Sequence, residues 1–128
     1  YIERLNEHGL MYVHDIEGVT QMSRDPAGID YPALRRAFRG AYIANNGYTL
    51  ADAEKAISGG LADLVSFGRP YIANPDLIAR LQTGAPLADA PKQYWYGGGA
   101  TGYSDWPGMQ GQVALKRAGQ AELGSYAA

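Results

Sequence analysis

Apolar residues fall in three short runs, each followed by glycine or polar residues. Leu10-Met11-Tyr12-Val13-His14-Asp15-Ile16-Glu17 reads as a strand that turns polar at its end. Ala41-Tyr42-Ile43-Ala44 reads as a second strand, closed by Asn45-Asn46-Gly47. Ala62-Asp63-Leu64-Val65-Ser66-Phe67 reads as a third, closed by Gly68-Arg69-Pro70. Helical patterns alternate with these runs. Residues 2–7 look like the end of an amphipathic helix stopped by Gly9. Residues 31–38 form a short basic helix, with Arg35, Arg36 and Arg39 near its C-terminal end, where cations suit the helix dipole. Thr49 caps a helix over residues 50–58 that Gly59-Gly60 ends. Asn74 is expected to cap a further helix, with Pro75 at its first position, running to about Thr83 and ended by Gly84.

Strands alternating with helices argue for an α/β fold with parallel strands and right-handed crossovers. The runs are short and apolar, as in a sheet covered on both faces. Residues 18–29 read as a long loop, and there is no internal repeat at solenoid spacing. The pattern changes at residue 85: residues 85–93 are a Pro-bearing connector, and residues 94–107 are an aromatic, glycine-rich loop. Residues 108–128 are a tail with weak helical character around residues 113–123. The expected organisation is one folded part over residues 1–107 and a tail over 108–128.

Charge and composition narrow the function classes. A net charge of -2 gives no electrostatic case for nucleic acid or an acidic membrane surface. No apolar run approaches the ~20 residues of a membrane span, and the first residues are no signal peptide. There is no cysteine, which removes disulfides, thiolate catalysis and cysteine-ligated metal and fits a reducing cytoplasm. No metal site is expected. The chain has no start Met and opens inside a helical pattern, so it is expected to begin partway through a larger protein.

Two glycine-bearing turns follow successive strands, Asn46-Gly47 and Gly68-Arg69. In a parallel α/β fold both lie at the strands' C-terminal ends, the face where ligands bind. Glycine lets a backbone N–H approach an anion closely, and the arginine fork suits phosphate. Each part alone also reads as an ordinary turn or a surface arginine. Gly97-Gly98-Gly99-Ala100-Thr101-Gly102 follows no strand and opens no helix, so it is not a dinucleotide fingerprint.

Three longer stretches resemble the Old Yellow Enzyme family. Ile43-Ala44-Asn45-Asn46-Gly47-Tyr48-Thr49 is similar to its strand-7 segment. Phe67-Gly68-Arg69-Pro70-Tyr71-Ile72-Ala73-Asn74-Pro75-Asp76-Leu77, with Arg80-Leu81 after it, is similar to strand 8. Tyr96-Gly97-Gly98-Gly99-Ala100-Thr101-Gly102-Tyr103-Ser104-Asp105-Trp106-Pro107 resembles the C-terminal loop of bacterial members. The resemblance implies the C-terminal part, about strands 6–8, of an FMN-binding (β/α)8 barrel, within an enzyme that passes hydride from NAD(P)H through flavin to activated alkenes such as enones. By the same resemblance Asn46, Gly47, Gly68 and Arg69 would hold the FMN phosphate. Trp95 and Tyr96 would stand beside the flavin, and Tyr96 beside the substrate. Trp95 stands where members usually have Phe or Tyr, and Glu17-Gly18 where many have Glu-Pro.

The family's substrate-clamping residues come from earlier strands, so no catalytic residue is expected in this segment. His14 is read as a structural, hydrogen-bonded residue and His8 as a helix-end surface residue. Asp15 and Glu17 are read as rim residues or salt-bridge partners, and Tyr12, Tyr31, Tyr42 and Tyr71 as packing. A complete barrel takes ~250 residues, so the expected partner is the remainder of the barrel, and the 128-residue chain alone is expected to be inactive. Two alternatives keep part of this reading: another flavin-barrel reductase of the dienoyl-CoA reductase kind, or a non-catalytic barrel fragment acting as an assembly module.

Overall fold

The computed structural model describes residues 1–18, 28–96 and 99–111. The chain divides into two compact units, Tyr1–Phe67 and Gly68–Ala128.

The first unit is built on a parallel sheet in the order β1 (Tyr12–Ile16), β2 (Ala41–Asn45), β3 (Leu64–Val65). Helix α1 (Ile2–Leu5) and a 3-10 turn (Asn6–His8) precede β1, and Gly9 ends the turn in the left-handed conformation. Helix α2 (Tyr31–Ala37) joins β1 to β2, and α3 (Leu50–Ser58) joins β2 to β3. Both start where side chains satisfy first-turn amides that the helix leaves unpaired. Asp30 accepts from the Ala33 N–H at 2.9 Å. Thr49 accepts from the Asp52 N–H at 3.1 Å, and Asp52 accepts in return from the Thr49 N–H, a reciprocal capping box.

Successive strand residues point to opposite faces, so register assigns the two sides of the sheet. Val13 pairs with Tyr42 and Asp15 with Ala44, on the side that packs on the helices. There Tyr42, Ala44, Ala56 and Ala62 form the buried core, with Val13, Leu34, Tyr48 and Val65 against it. The other side carries Tyr12, His14, Ile16, Ile43, Asn45 and Leu64. Tyr12 (54%), Ile16 (51%) and Leu64 (51%) are exposed there. Tyr12 is thus not the packing residue expected of it; it lies on the sheet's open face. The entry into β2 demands glycine: a Cβ on Gly40 would sit 2.6 Å from the Met11 carbonyl oxygen and 2.9 Å from that of Leu10.

β3 is shorter than the run 62–67 predicts. At its start, Asp63 turns its carboxylate onto the Tyr42 N–H (2.7 Å), a β2 donor that would otherwise seek a strand carbonyl. At its end, the Ser66 carbonyl accepts from the Asn45 side-chain amide at 3.2 Å. Backbone bonds to β2 continue on both sides of Leu64–Val65, from the Asp63 N–H to the Tyr42 carbonyl (3.0 Å) and from the Ser66 N–H to the Ala44 carbonyl (2.9 Å), and the side chains supplement them. The same Asp63 is bound by Arg35 at 2.7 Å, which ties α2 to this strand.

The second unit begins with α4 (Arg69–Ala73) and α5 (Leu77–Thr83), and Gly84 ends α5 in the left-handed conformation as expected. Asn74 does not cap α5. It is fully buried at the C-terminal end of α4, donates to the carbonyls of Pro70 (2.7 Å) and Ala88 (2.8 Å), and accepts from the Ala88 N–H (2.8 Å). Arg80, 1% exposed, works beside it: Nε donates to Asp76 and Nη1 to the Pro86 carbonyl, both at 2.7 Å. The other Asp76 oxygen accepts from the Met109 N–H at 2.7 Å. The connector 85–90 and the segment at 108–109 are thus tied to one pair of short helices. Tyr71, expected to pack, is exposed. Most of the loop expected at 18–29, and the weak helix expected at 113–123, lie outside the described residues.

The Tyr42 N–H above all, together with the Arg35 guanidinium, holds the Asp63 carboxyl below its ordinary value. A depressed carboxylate contributes stability that is present above its unfolded-state pKa, about 3.9, and is lost as pH falls through the folded value. The urea midpoint of the protein should therefore fall on going from pH 6 to pH 3, and Asp63→Asn should shrink that fall. An unchanged pH dependence in the variant would refute this role.

Candidate functional site

Both turns expected to hold an anion follow the C-terminal ends of adjacent parallel strands, one after β2 and one after β3. Each is built differently.

After β2 the chain turns through Asn46 at φ 100° and Gly47 at φ 68°. The left-handed region is open to glycine and tolerated by asparagine. Asn46 is buried, and its Nδ2 donates to the Glu17 carbonyl at 2.5 Å, so the turn is tied to the end of β1. Gly47 is exposed, and a Cβ there would meet nothing within 4 Å. The space in front of this backbone is open.

Around the same strand ends lies a group of acids and tyrosines. The Tyr42 hydroxyl lies 2.9 Å from an Asp15 oxygen and 3.4 Å from Glu17 Oε1. The Tyr48 hydroxyl donates to Glu17 Oε2 at 2.6 Å, and the Gly18 N–H donates to the Tyr31 hydroxyl at 2.6 Å. Asp15 and Glu17 are thus not salt-bridge partners among the described residues; tyrosine hydroxyls serve them. Tyr42 and Tyr31 do more than pack. Nothing in the spacing of these residues pointed to the contacts, which join positions 13 to 31 residues apart. On the open side, His14 Nε2 and Ser66 Oγ are hydrogen-bonded at 2.9 Å, and Asn45 Nδ2 donates to the same Oγ at 2.6 Å. His14 is hydrogen-bonded, as expected.

The second turn is Gly68-Arg69, where α4 begins. A Cβ on Gly68 would meet nothing within 4 Å. Arg69 is exposed, and among the described residues it has no carboxylate partner. Among the described residues its contact is aromatic: Cζ stands 5.4 Å from the centroid of the Trp95 ring, a cation–π distance. Lys92 Nζ reaches the same ring at 5.9 Å, a second cation that sequence spacing did not single out. Trp95 is itself anchored, its Nε1 donating to the Ala90 carbonyl at 2.7 Å. Tyr96 follows with 79% of its surface exposed. Arg69 and Trp95 are thus brought together. Within the second unit the residues present suit a phosphate group: a guanidinium with no carboxylate partner among the described residues, a second cation near the same indole, and a glycine open to an approaching anion. No cluster of metal-ligating side chains occurs among the described residues.

The aromatic loop is held by its own contacts. The Gly102 N–H donates to Asp105 at 2.7 Å, Trp106 Nε1 donates to the Gly102 carbonyl at 2.8 Å, and Tyr94 meets Trp106 edge to face at 6.3 Å. A Cβ on Gly102 would overlap the Tyr94 ring.

Residues 10–88 match the model of the NADH:flavin oxidoreductase / NADH oxidase family. The chain is 35% identical over 112 residues to 12-oxophytodienoate reductase 2 of Arabidopsis thaliana, covering 85% of this chain and 30% of that protein. It is 37% identical over 107 residues to a 12-oxophytodienoate reductase-like protein of Solanum lycopersicum, covering 83% and 29%. Among solved structures it matches morphinone reductase in complex with tetrahydroNAD, with a TM-score of 0.72, 33% identity, and 84% of this chain on 28% of that one. It also matches an old yellow enzyme homologue from Zymomonas mobilis, with a TM-score of 0.74, 31% identity, and 83% on 30%. The chain thus spans about 30% of the length of the curated relatives it matches. Its parallel strands and helices correspond to part of an Old Yellow Enzyme (β/α)8 barrel.

Burial first, then the bond to Asp15 and the charges of Asp15 and Glu17, pushes the Tyr42 hydroxyl far above the ordinary tyrosine value. A raised pKa means stability that is complete below the unfolded-state value near 10 and falls as pH climbs past it, because the unfolded chain ionises first. Ultraviolet titration should show a tyrosine signal that resists ionisation at pH 11, and Tyr42→Phe should remove it. The same variant takes the Tyr42 hydroxyl from Asp15, leaves Glu17 with that of Tyr48, and should cost about 1–3 kcal/mol in urea unfolding.

Proposed function

Because this chain belongs to the NADH:flavin oxidoreductase / NADH oxidase family, we propose that it supplies the phosphate-holding part of the FMN site in an ene-reductase. The full protein passes hydride from NAD(P)H through flavin to activated alkenes such as enones. The observation that carries this reading is the Gly68-Arg69 turn. An exposed guanidinium without a carboxylate partner among the described residues is fixed on an indole, beside backbone with no side chain in the way. A surface arginine without such a role more commonly drifts or pairs with an acid.

In this reading Arg69 offers two parallel N–H donors to phosphate oxygens, and Gly47 and Gly68 let backbone N–H groups come within hydrogen-bond reach. Asn46 fixes the first turn by gripping the Glu17 carbonyl, so that its backbone and that of Gly47 face the anion without reorganising. Trp95 and Tyr96 border the flavin, and Tyr96 also borders the substrate. FMN supplies the redox chemistry when bound, and the protein supplies placement and electrostatics. The groups that clamp the substrate and deliver the proton belong to the remainder of the barrel. The names of the relatives, 12-oxophytodienoate reductase and morphinone reductase, support the reductase class.

The full-length protein should therefore be yellow and should oxidise NADPH when an enone is added. A colourless, flavin-free protein would sink the proposal. Arg69→Ala should weaken FMN binding by about 1.5–3 kcal/mol in a fluorescence titration. The 128-residue chain alone should neither hold FMN tightly nor turn over.

A further inference from the structure

We infer that Trp95 is a positioning residue for Arg69, an aromatic shelf that holds the guanidinium ready for a phosphomonoester and so selects phosphorylated over unphosphorylated flavin. The inference rests on the FMN reading above.

Arg69 is exposed, and the described residues give it neither a hydrogen-bond acceptor nor a carboxylate. A long side chain with no such partner would sample many rotamers, and ordering it on ligand binding would carry an entropic cost. The Trp95 face, 5.4 Å from Cζ, removes much of that freedom in advance. A contact with the indole ring also supplies no hydrogen-bond acceptor, so the N–H donors of the guanidinium stay unused. A carboxylate partner would fix the arginine equally well but would occupy those donors and cancel the charge. An indole does neither.

The shelf and the arginine share one frame. Asn74 holds the Pro70 carbonyl, one residue from Arg69, and both backbone groups of Ala88. Two residues beyond Ala88, the Ala90 carbonyl holds the Trp95 indole N–H at 2.7 Å. A single buried asparagine therefore sets both the base of Arg69 and the strand of chain that carries its shelf. Lys92 lies 5.9 Å from the same ring, so the shelf gathers positive charge instead of neutralising it.

The test compares FMN with riboflavin, which lacks the phosphate, as ligands of the full-length protein stripped of flavin. Trp95→Leu should weaken FMN binding about tenfold more than it weakens riboflavin binding, while Trp95→Phe should retain most of the discrimination. Combined with Arg69→Ala, Trp95→Leu should add nothing further to the loss of discrimination between FMN and riboflavin, because that effect runs through the arginine. Equal loss of FMN and riboflavin binding in Trp95→Leu would make the residue a general wall of the pocket and overturn the inference while leaving the flavin reading intact. Failure of the parent protein to bind either flavin would overturn the reading beneath it. If the leucine variant does not fold, the unsubstituted protein still decides. The Arg69 side-chain protons should show an upfield ring-current shift in the flavin-free protein, and its absence refutes the shelf.

Discussion

A backbone N–H or C=O that leaves a ladder must find another partner or water, and in this chain side chains take that place at several strand and helix ends. Asp63 receives the Tyr42 N–H, Asn45 serves the Ser66 carbonyl, Asn46 serves the Glu17 carbonyl, and Asn74 serves Pro70 and Ala88. These short amide and acid side chains sit where regular structure gives way to the turns that carry the candidate site. A buried peptide group left unpaired costs as much as a lost hydrogen bond, so each such residue fixes the course of the next few residues. The turns are therefore not loose connections between rigid elements; each is referenced to a neighbouring strand end or helix.

Much of the architecture was legible along the chain. Alternating apolar runs and capped helices specified the parallel sheet, and Thr49 and Gly84 mark helix ends through local chemistry that a sequence displays directly. What was not legible depends on residues distant in the chain. Asn74-Pro75 has the form of a helix start, yet the asparagine serves Ala88, fourteen positions on, and no local rule reveals that partner. Asp63 looks like an interruption in an apolar strand until the Tyr42 N–H and the Arg35 guanidinium are seen to converge on it. The expected site residues were chosen for turn chemistry and motif. The tyrosines around Glu17, and the indole under Arg69, enter only through packing.

The two sheet faces show the same division of labour. The helix-facing side is closed by small residues, alanines at 44, 56 and 62, around one large side chain, Tyr42. This lets α3 lie near the strands while the tyrosine hydroxyl reaches the acids at the end of β1. The opposite face mixes exposed Tyr12, Ile16 and Leu64 with the His14–Ser66–Asn45 bonds. In a closed barrel that side faces inward, where layers of side chains from alternate strands fill the interior.

The bend at Asn46-Gly47 also governs how the molecule ages. An asparagine followed by glycine is the pairing most prone to deamidation, because little hinders the glycine nitrogen from attacking the side-chain carbonyl carbon and expelling ammonia. Here the amide nitrogen that would depart is buried and donates to the Glu17 carbonyl, and the backbone is held at φ 100° and φ 68°. Ring closure therefore has to wait for the turn to open. The clock for this damage is set by local unfolding at the end of β1, not by the intrinsic lability of the dipeptide.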